Sequence, residues 1–141
     1  MIYKEFKDPY GFLSKEWRNN AGELHREDGP ARIVYNNLGK IIKKMFYMNG
    51  FINREYGPAI IHYYSNHSIK VEYFYLKQHL HREDGPAHIH YNPDGSIRCE
   101  HFDIYDEYLG MDGLGFWRLW DKLNEEKRQA PSLLKCLARY S

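Results

Sequence analysis

The chain has 141 residues, with Lys+Arg 20 against Asp+Glu 19, a net charge of +1 and 16% aromatic residues including 13 Tyr. That length suits one domain with its own core, and the balanced charge speaks against nucleic-acid partners, which need clustered basic excess. No apolar run could span a bilayer, the start MIYKEFKDPYG lacks a signal-peptide centre, and Cys99 and Cys136 suggest neither a disulfide framework nor a zinc cluster, so the expectation is a cytoplasmic protein with free thiols and no cofactor.

Residues Met1 to Gly11 read as a polar lead-in with a turn at Asp8-Pro9. From Phe12 an internal repeat governs the chain. The heptapeptide is HREDGPA at His25–Ala31, NREYGPA at Asn53–Ala59 and HREDGPA at His81–Ala87. Its Gly-Pro pairs begin at 29, 57 and 85, so both intervals are 28 (57−29 and 85−57). Fixed-period self-similarity signals stacked supersecondary units. Laying down offsets of 28 aligns Trp17, Met45, Tyr73 and His101, and beside them Arg18, Phe46, Phe74 and Phe102. Glu16, Lys44, Glu72 and Glu100 form a further column. These β-branched and aromatic runs predict the first strand of each unit.

A turn follows at Asn49-Gly50, matched by Ala21-Gly22 and Lys77-Gln78. The heptapeptide then forms a structured connection, where its Gly is expected at positive φ and its Pro fixes φ. That expectation makes Gly29→Val and Gly85→Val more damaging than Arg32→Ala. The second strands are Ala31–Tyr35, Ala59–Tyr63 and Ala87–Tyr91. Ala, Ile and Tyr alternate in all three, which places them on one face. The opposite face carries Arg32, Val34, Ile60, His62, His88 and His90 and is expected to point outward. One unit cannot bury its own stripe, but stacked neighbours can. The predicted fold is mainly β, an antiparallel meander of 28-residue hairpins, forming one twisted sheet from about Phe12 to Ile104.

The Glu-x-aromatic-aromatic-x-Asn-Gly spacing, followed by Leu-His-Arg-Glu-Asp-Gly-Pro-Ala-x-Ile-x-Tyr, resembles the MORN-variant hairpin repeats of bacterial, phage and giant-virus proteins. The resemblance covers about Phe12 to Gly110 and departs at Asn53 and Tyr56, where the other copies have His and Asp. It implies an interaction scaffold, of which some are predicted antitoxins.

Met111-Asp112-Gly113-Leu114-Gly115 reads as a linker. Phe116, Leu119, Trp120 and Leu123 then make one helical stripe. Ala130-Pro131 ends that helix, and a second follows to Tyr140. The whole reads as a single domain, 1–141, with hairpin repeats over 12–110 and a helical tail over 111–141.

His-Arg-Glu-Asp contains acid–base groups, but it recurs with the repeat, whereas catalysis needs one constellation in one place. The repeated Arg more plausibly ties down the turn before Gly-Pro with its planar fork. His88-x-His90 and His79-x-His81 have metal-ligand spacing on a strand, yet no third ligand is evident, and no metal is expected. Cys99 and Cys136 show no nucleophile context. The predicted function is a non-catalytic module, of inhibitor, antitoxin or immunity type, that binds a partner protein. Its expected binding residues are Arg32, Ile60, His62, His88 and His90, with Trp117 or Trp120 as a tail contact. Unperturbed imidazoles would make that binding vary between about pH 5 and 8. The alternatives are a small hydrolase or metal-dependent enzyme built on His and carboxylates, and a membrane-surface binder.

Overall fold

Period-two runs of Ile, Val, Tyr and Phe form strands because branched and aromatic side chains pack on a pleated surface. A computed structural model describes residues 1–141. The strands are, in order, β1 (Ile2–Lys7), β2 (Leu13–Arg18), β3 (Arg32–Tyr35), β4 (Ile41–Met45), β5 (Tyr47–Met48), β6 (Phe51–Ile52) and β7 (Ile60–Tyr63). They continue with β8 (Ile69–Tyr73), β9 (Tyr75–Leu76), β10 (His79–Leu80), β11 (His88–Tyr91), β12 (Ile97–Ile104) and β13 (Glu107–Met111). Nine of them make an antiparallel meander in the order β1-β2-β3-β4-β7-β8-β11-β12-β13. The pairs β5–β6 and β9–β10 are separate two-stranded ribbons at the hairpin tips. The sheet thus runs past the expected limits at both ends: the polar lead-in supplies an exposed edge strand, β1, and the last hairpin closes with β13.

Ile33 pairs with Lys44 and Lys44 with Ile61, so Ile33 and Ile61 share a face as expected. The frame inside the first unit is different, however. Trp17, not Arg18, is the counterpart of Phe46 and Phe74. Their backbone N–H groups donate to Ala31, Ala59 and Ala87 carbonyls at 2.8, 2.8 and 2.7 Å. Two single-residue changes cancel. β4, β8 and β12 each carry a bulge residue against the preceding strand, which β2 lacks against β1. The Asn20-Ala21-Gly22 turn is one residue longer than Asn49-Gly50. A one-residue slip reverses the side-chain faces. Glu16 therefore faces with Arg32, and Lys15 takes the place beside Ile33.

The heptapeptides lock neighbouring hairpins together. His25 Nδ1 accepts the Asn49 N–H at 2.9 Å, and His81 Nδ1 accepts the Tyr105 N–H at 3.0 Å. In the divergent copy Asn53 Oδ1 accepts the Lys77 N–H at 2.8 Å, so Asn does the same work as His. The guanidinium groups of Arg26, Arg54 and Arg82 lie 3.9, 3.9 and 4.0 Å over the rings of Trp17, Phe46 and Phe74. Each donates to the following Pro carbonyl: Pro30, Pro58 or Pro86. Arg26 and Arg82 also bond Asp28 and Asp84, whereas Tyr56 offers Arg54 no carboxylate. The repeated Arg is structural, as its periodicity suggested. The reason for the glycine is not the expected one. Gly57 has φ +114°, but Gly29 and Gly85 lie outside the left-handed region. A side chain there would instead press on the stacked guanidinium, which an added Cβ would approach to 3.2, 2.9 and 2.8 Å at Gly29, Gly57 and Gly85, and would displace the Arg from its ring.

The supposed linker is helical. Met111 ends β13, and α1 (Asp112–Lys122) includes Gly113, Leu114 and Gly115. Helix α2 (Pro131–Tyr140) begins at the breaking proline, which is tolerated in a first turn because its missing donor has no helical acceptor. The apolar core is gathered here: Phe102, Leu109, Phe116, Leu119, Leu123, Leu133 and Cys136 are buried together. Glu100 is 1% exposed on the same sheet face. Arg139 Nη2 donates to its two oxygens at 2.9 and 2.8 Å, and the Tyr140 hydroxyl donates to it as well. A buried carboxylate needs such partners, and these seat α2 on the sheet.

Candidate functional site

The helices occupy the face of Ile89, Glu100 and Phe102, which leaves the opposite face without a second layer. Two cross-strand rows run over that face. One is Glu16, Arg32, Met45, Ile60, Tyr73, His88 and His101; the other is Ser14, Val34, Lys43, His62, Val71, His90 and Cys99. In each row neighbours are paired across adjacent strands, so their side chains stand side by side. The five residues expected to bind, Arg32, Ile60, His62, His88 and His90, are all here. Trp117 and Trp120 are not. Both pack on Phe116 in the tail, on the far side of the sheet, and cannot extend this patch.

The face is less outward than its sequence suggested. Val34 and Val71 are 7% exposed, Glu16 5% and Ser14 fully buried. The long side chains shelter one another. Arg32 approaches Ser14 Oγ at 3.4 Å and Glu16 at 3.8 Å, while Arg18 holds the other Glu16 oxygen at 2.7 Å. Lys4 and Lys43 stand on the same face. The carboxylates among them, Glu16 and Asp103, are buried, so the accessible charge is basic. Three buried side-chain polar atoms make no hydrogen bond within the chain: Arg32 Nε, His88 Nε2 and Asp103 Oδ2. Buried polar atoms are normally hydrogen-bonded, so each of these calls for an explanation; Arg32 Nε keeps an ion-pair contact with Glu16 at 3.8 Å. All three lie on this face, Asp103 through its pairing with Tyr108, whose ring meets that of His101.

His101 completes a group that the sequence did not reveal. It pairs directly with His88 across β11–β12, and their rings stack at 4.9 Å and 25°. His88 also stacks on Tyr73 at 4.2 Å, and the His90 ring lies 4.3 Å from that of His88. The third imidazole that seemed missing beside His88-x-His90 is His101. Reflecting the strands about the Asn92–Ser96 turn, with one bulge residue allowed at Arg98, would have found it. His79 and His81 have other partners: His79 Nδ1 meets Asp106 at 2.6 Å, and His81 serves the Tyr105 amide.

Burial pushes the His88 imidazole down to about 4, helped by the repelling charges that His90 and His101 would carry. Burial also lowers His90, with His101 and Arg98 acting in the same sense. His62 is lowered by burial and then by Lys43 and Lys70. His81 is lowered by burial too, against the pull of Glu83. His62, His88 and His90 on this face are therefore all displaced below the ordinary imidazole value, His88 the furthest, to about 4. The sign for stability follows. Below about pH 6.5 the unfolded chain takes up protons that these folded imidazoles refuse, so stability falls with falling pH. Melting temperature should drop between about pH 6.5 and 4, and the drop should be shallower in His88→Ile, which carries the Ile60 side chain of the second unit. Superimposable profiles for the two proteins, by circular dichroism across that range, would refute the assignment.

The larger cavities lie elsewhere. One of about 510 Å³ opens between the second and third heptapeptides, lined by Arg54, Tyr56, Phe74, Arg82, Glu83 and Tyr105. Another of about 480 Å³ repeats it between the first and second. Neither gathers the residues of the unpaired face. No helix is long and apolar enough to cross a membrane. No protein-family model, no curated protein and no solved structure matches the chain.

Proposed function

We propose that the protein is a non-catalytic docking module, of inhibitor, antitoxin or immunity type, that binds an acidic surface of a partner protein. The observation that supports this most is the single continuous face bearing Arg32, Ile60, His62, His88 and His90. Lys4, Arg18, Arg32 and Lys43 outnumber the two carboxylates on that face, which favours an acidic partner. Met45, Ile60 and Tyr73 supply half-buried apolar contact between the charges. The resemblance of the HREDGPA repeats to interaction scaffolds points the same way. Two free thiols fit a reducing cytoplasm.

The test begins with affinity capture from native lysate and identification of the retained protein by mass spectrometry. Arg32→Glu with His62→Ala should then weaken that partner at least about tenfold, since anchors of this kind carry about 1–2 kcal/mol each. The circular dichroism spectrum should stay in place, and Trp117→Ala should bind normally. Unchanged affinity in the double variant, or loss only with Trp117→Ala, would move the interface to the tail.

A further inference from the structure

We propose that His88, His90 and His101 form a binding site for a divalent transition metal of the zinc class. Three observations carry this. The first is convergence: one ligand nitrogen from each ring lies within 4.8 Å of the other two. A tetrahedral centre with Zn–N bonds of about 2.0–2.1 Å sets its nitrogens about 3.3 Å apart. The half-buried rings can close the difference by rotating about χ2, a broad torsion, without moving the strands.

The second is the state of His88. Its Nε2 is buried against its neighbours and makes no hydrogen bond within the chain. A ring nitrogen so placed can offer its lone pair to a metal, and it has no competing partner to give up. The third comes from the repeat. The position of His88 is Arg32 and Ile60 in the other units, that of His90 is Val34 and His62, and that of His101 is Glu16, Met45 and Tyr73. Packing at these places is met by six other residue types and by a single His, His62, two strands from His90. The three imidazoles are therefore one constellation in one place, unlike the periodic His-Arg-Glu-Asp.

The ligand set decides the metal class. Imidazole suits Zn²⁺, Cu²⁺ and Ni²⁺, whereas Mg²⁺ and Ca²⁺ require oxygen donors. Cys99 Sγ lies 3.7 Å from His101 Nε2, but the converging group consists of the three imidazoles. Water takes the fourth position, as in three-histidine zinc centres.

The experiment is calorimetric titration of the full-length, untagged protein with Zn²⁺, with Mg²⁺ as the control cation. One site per chain is expected, with a dissociation constant of about micromolar or tighter, and excess Zn²⁺ should raise the melting temperature. His88→Ile and His101→Tyr install the cross-strand pair that stands at the equivalent place on β7 and β8, Ile60 and Tyr73, so the fold is kept. Each should weaken Zn²⁺ at least about tenfold. Co²⁺ should give the visible absorption of four-coordinate cobalt in the parent and lose it in both variants. His62→Ala and His79→Ala should bind as the parent does. Absence of saturable 1:1 binding would overturn the site, and so would equal weakening by His62→Ala or His79→Ala, the mark of dispersed surface imidazoles. Because no partner protein is needed, failure here leaves the docking surface standing.

Discussion

Phe102→Ala is expected to release the helical tail from the sheet. Phe102 is fully buried on β12, and its ring meets Phe116 edge-on at 6.2 Å and 70°. It is the sheet's main contribution to the apolar cluster formed with Leu109, Leu119, Leu123, Leu133 and Cys136. Truncating a core Phe costs about 3–5 kcal/mol, the lost transfer energy plus the cavity left behind. Domains are stable by only about 5–15 kcal/mol, so the loss is a large fraction of the whole. Phe46 occupies the equivalent place in the second unit but is only half-buried, covered by the Arg54 guanidinium. Phe46→Ala should therefore cost clearly less. Urea midpoints measured by far-ultraviolet circular dichroism, with Trp fluorescence reporting the tail, would separate the two. Equal midpoints would show that the tail core does not dominate stability.

Gly115→Ala should be nearly as damaging, for a different reason. A Cβ there would stand 2.1 Å from the Gly110 carbonyl oxygen and 2.8 Å from the Phe102 ring. Backbone cannot yield as a flexible side chain can, so α1 must lift off β13. Overpacking of this kind costs about 1–3 kcal/mol or more. Gly113 is the internal control. A Cβ there meets only Tyr140, at an ordinary 3.5 Å, and its φ is not left-handed. Removing glycine from the helix should then stabilise by about 0.5–1 kcal/mol. Thermal melts of the two single variants should move in opposite directions. A matching fall in both would mean that general crowding, and not the close α1–β13 approach, sets the requirement for glycine.

The same two glycines show how the sequence misled. Met111 to Gly115 looked like a linker because glycine is a poor helix former. The helix forms because Gly115 is the only residue that lets it sit against the Gly110 backbone, a tertiary demand that leaves no local trace. The polar β1 is a similar case: six exposed residues carry no buried stripe to read. The first-unit slip was hidden because a missing bulge residue and an added turn residue preserve the spacing of 28. Only the hydrogen bonds of Trp17 and Phe46 expose it.

What the sequence by itself determined is what repeats and alternates: the hairpin meander, the shared face of Ile33 and Ile61, the structural role of the heptapeptide Arg, and the placing of Arg32, Ile60, His62, His88 and His90 together. These follow from side-chain periods of two along a strand and from a fixed repeat length, both local properties of the chain. What only the tertiary structure decided is register and approach. Whether His101 stands beside His88 depends on a bulge at Arg98. Whether Trp117 joins the patch depends on which face receives the helices. Both are settled by hydrogen bonds and packing between separate segments, where one residue more or less reverses the direction of a side chain.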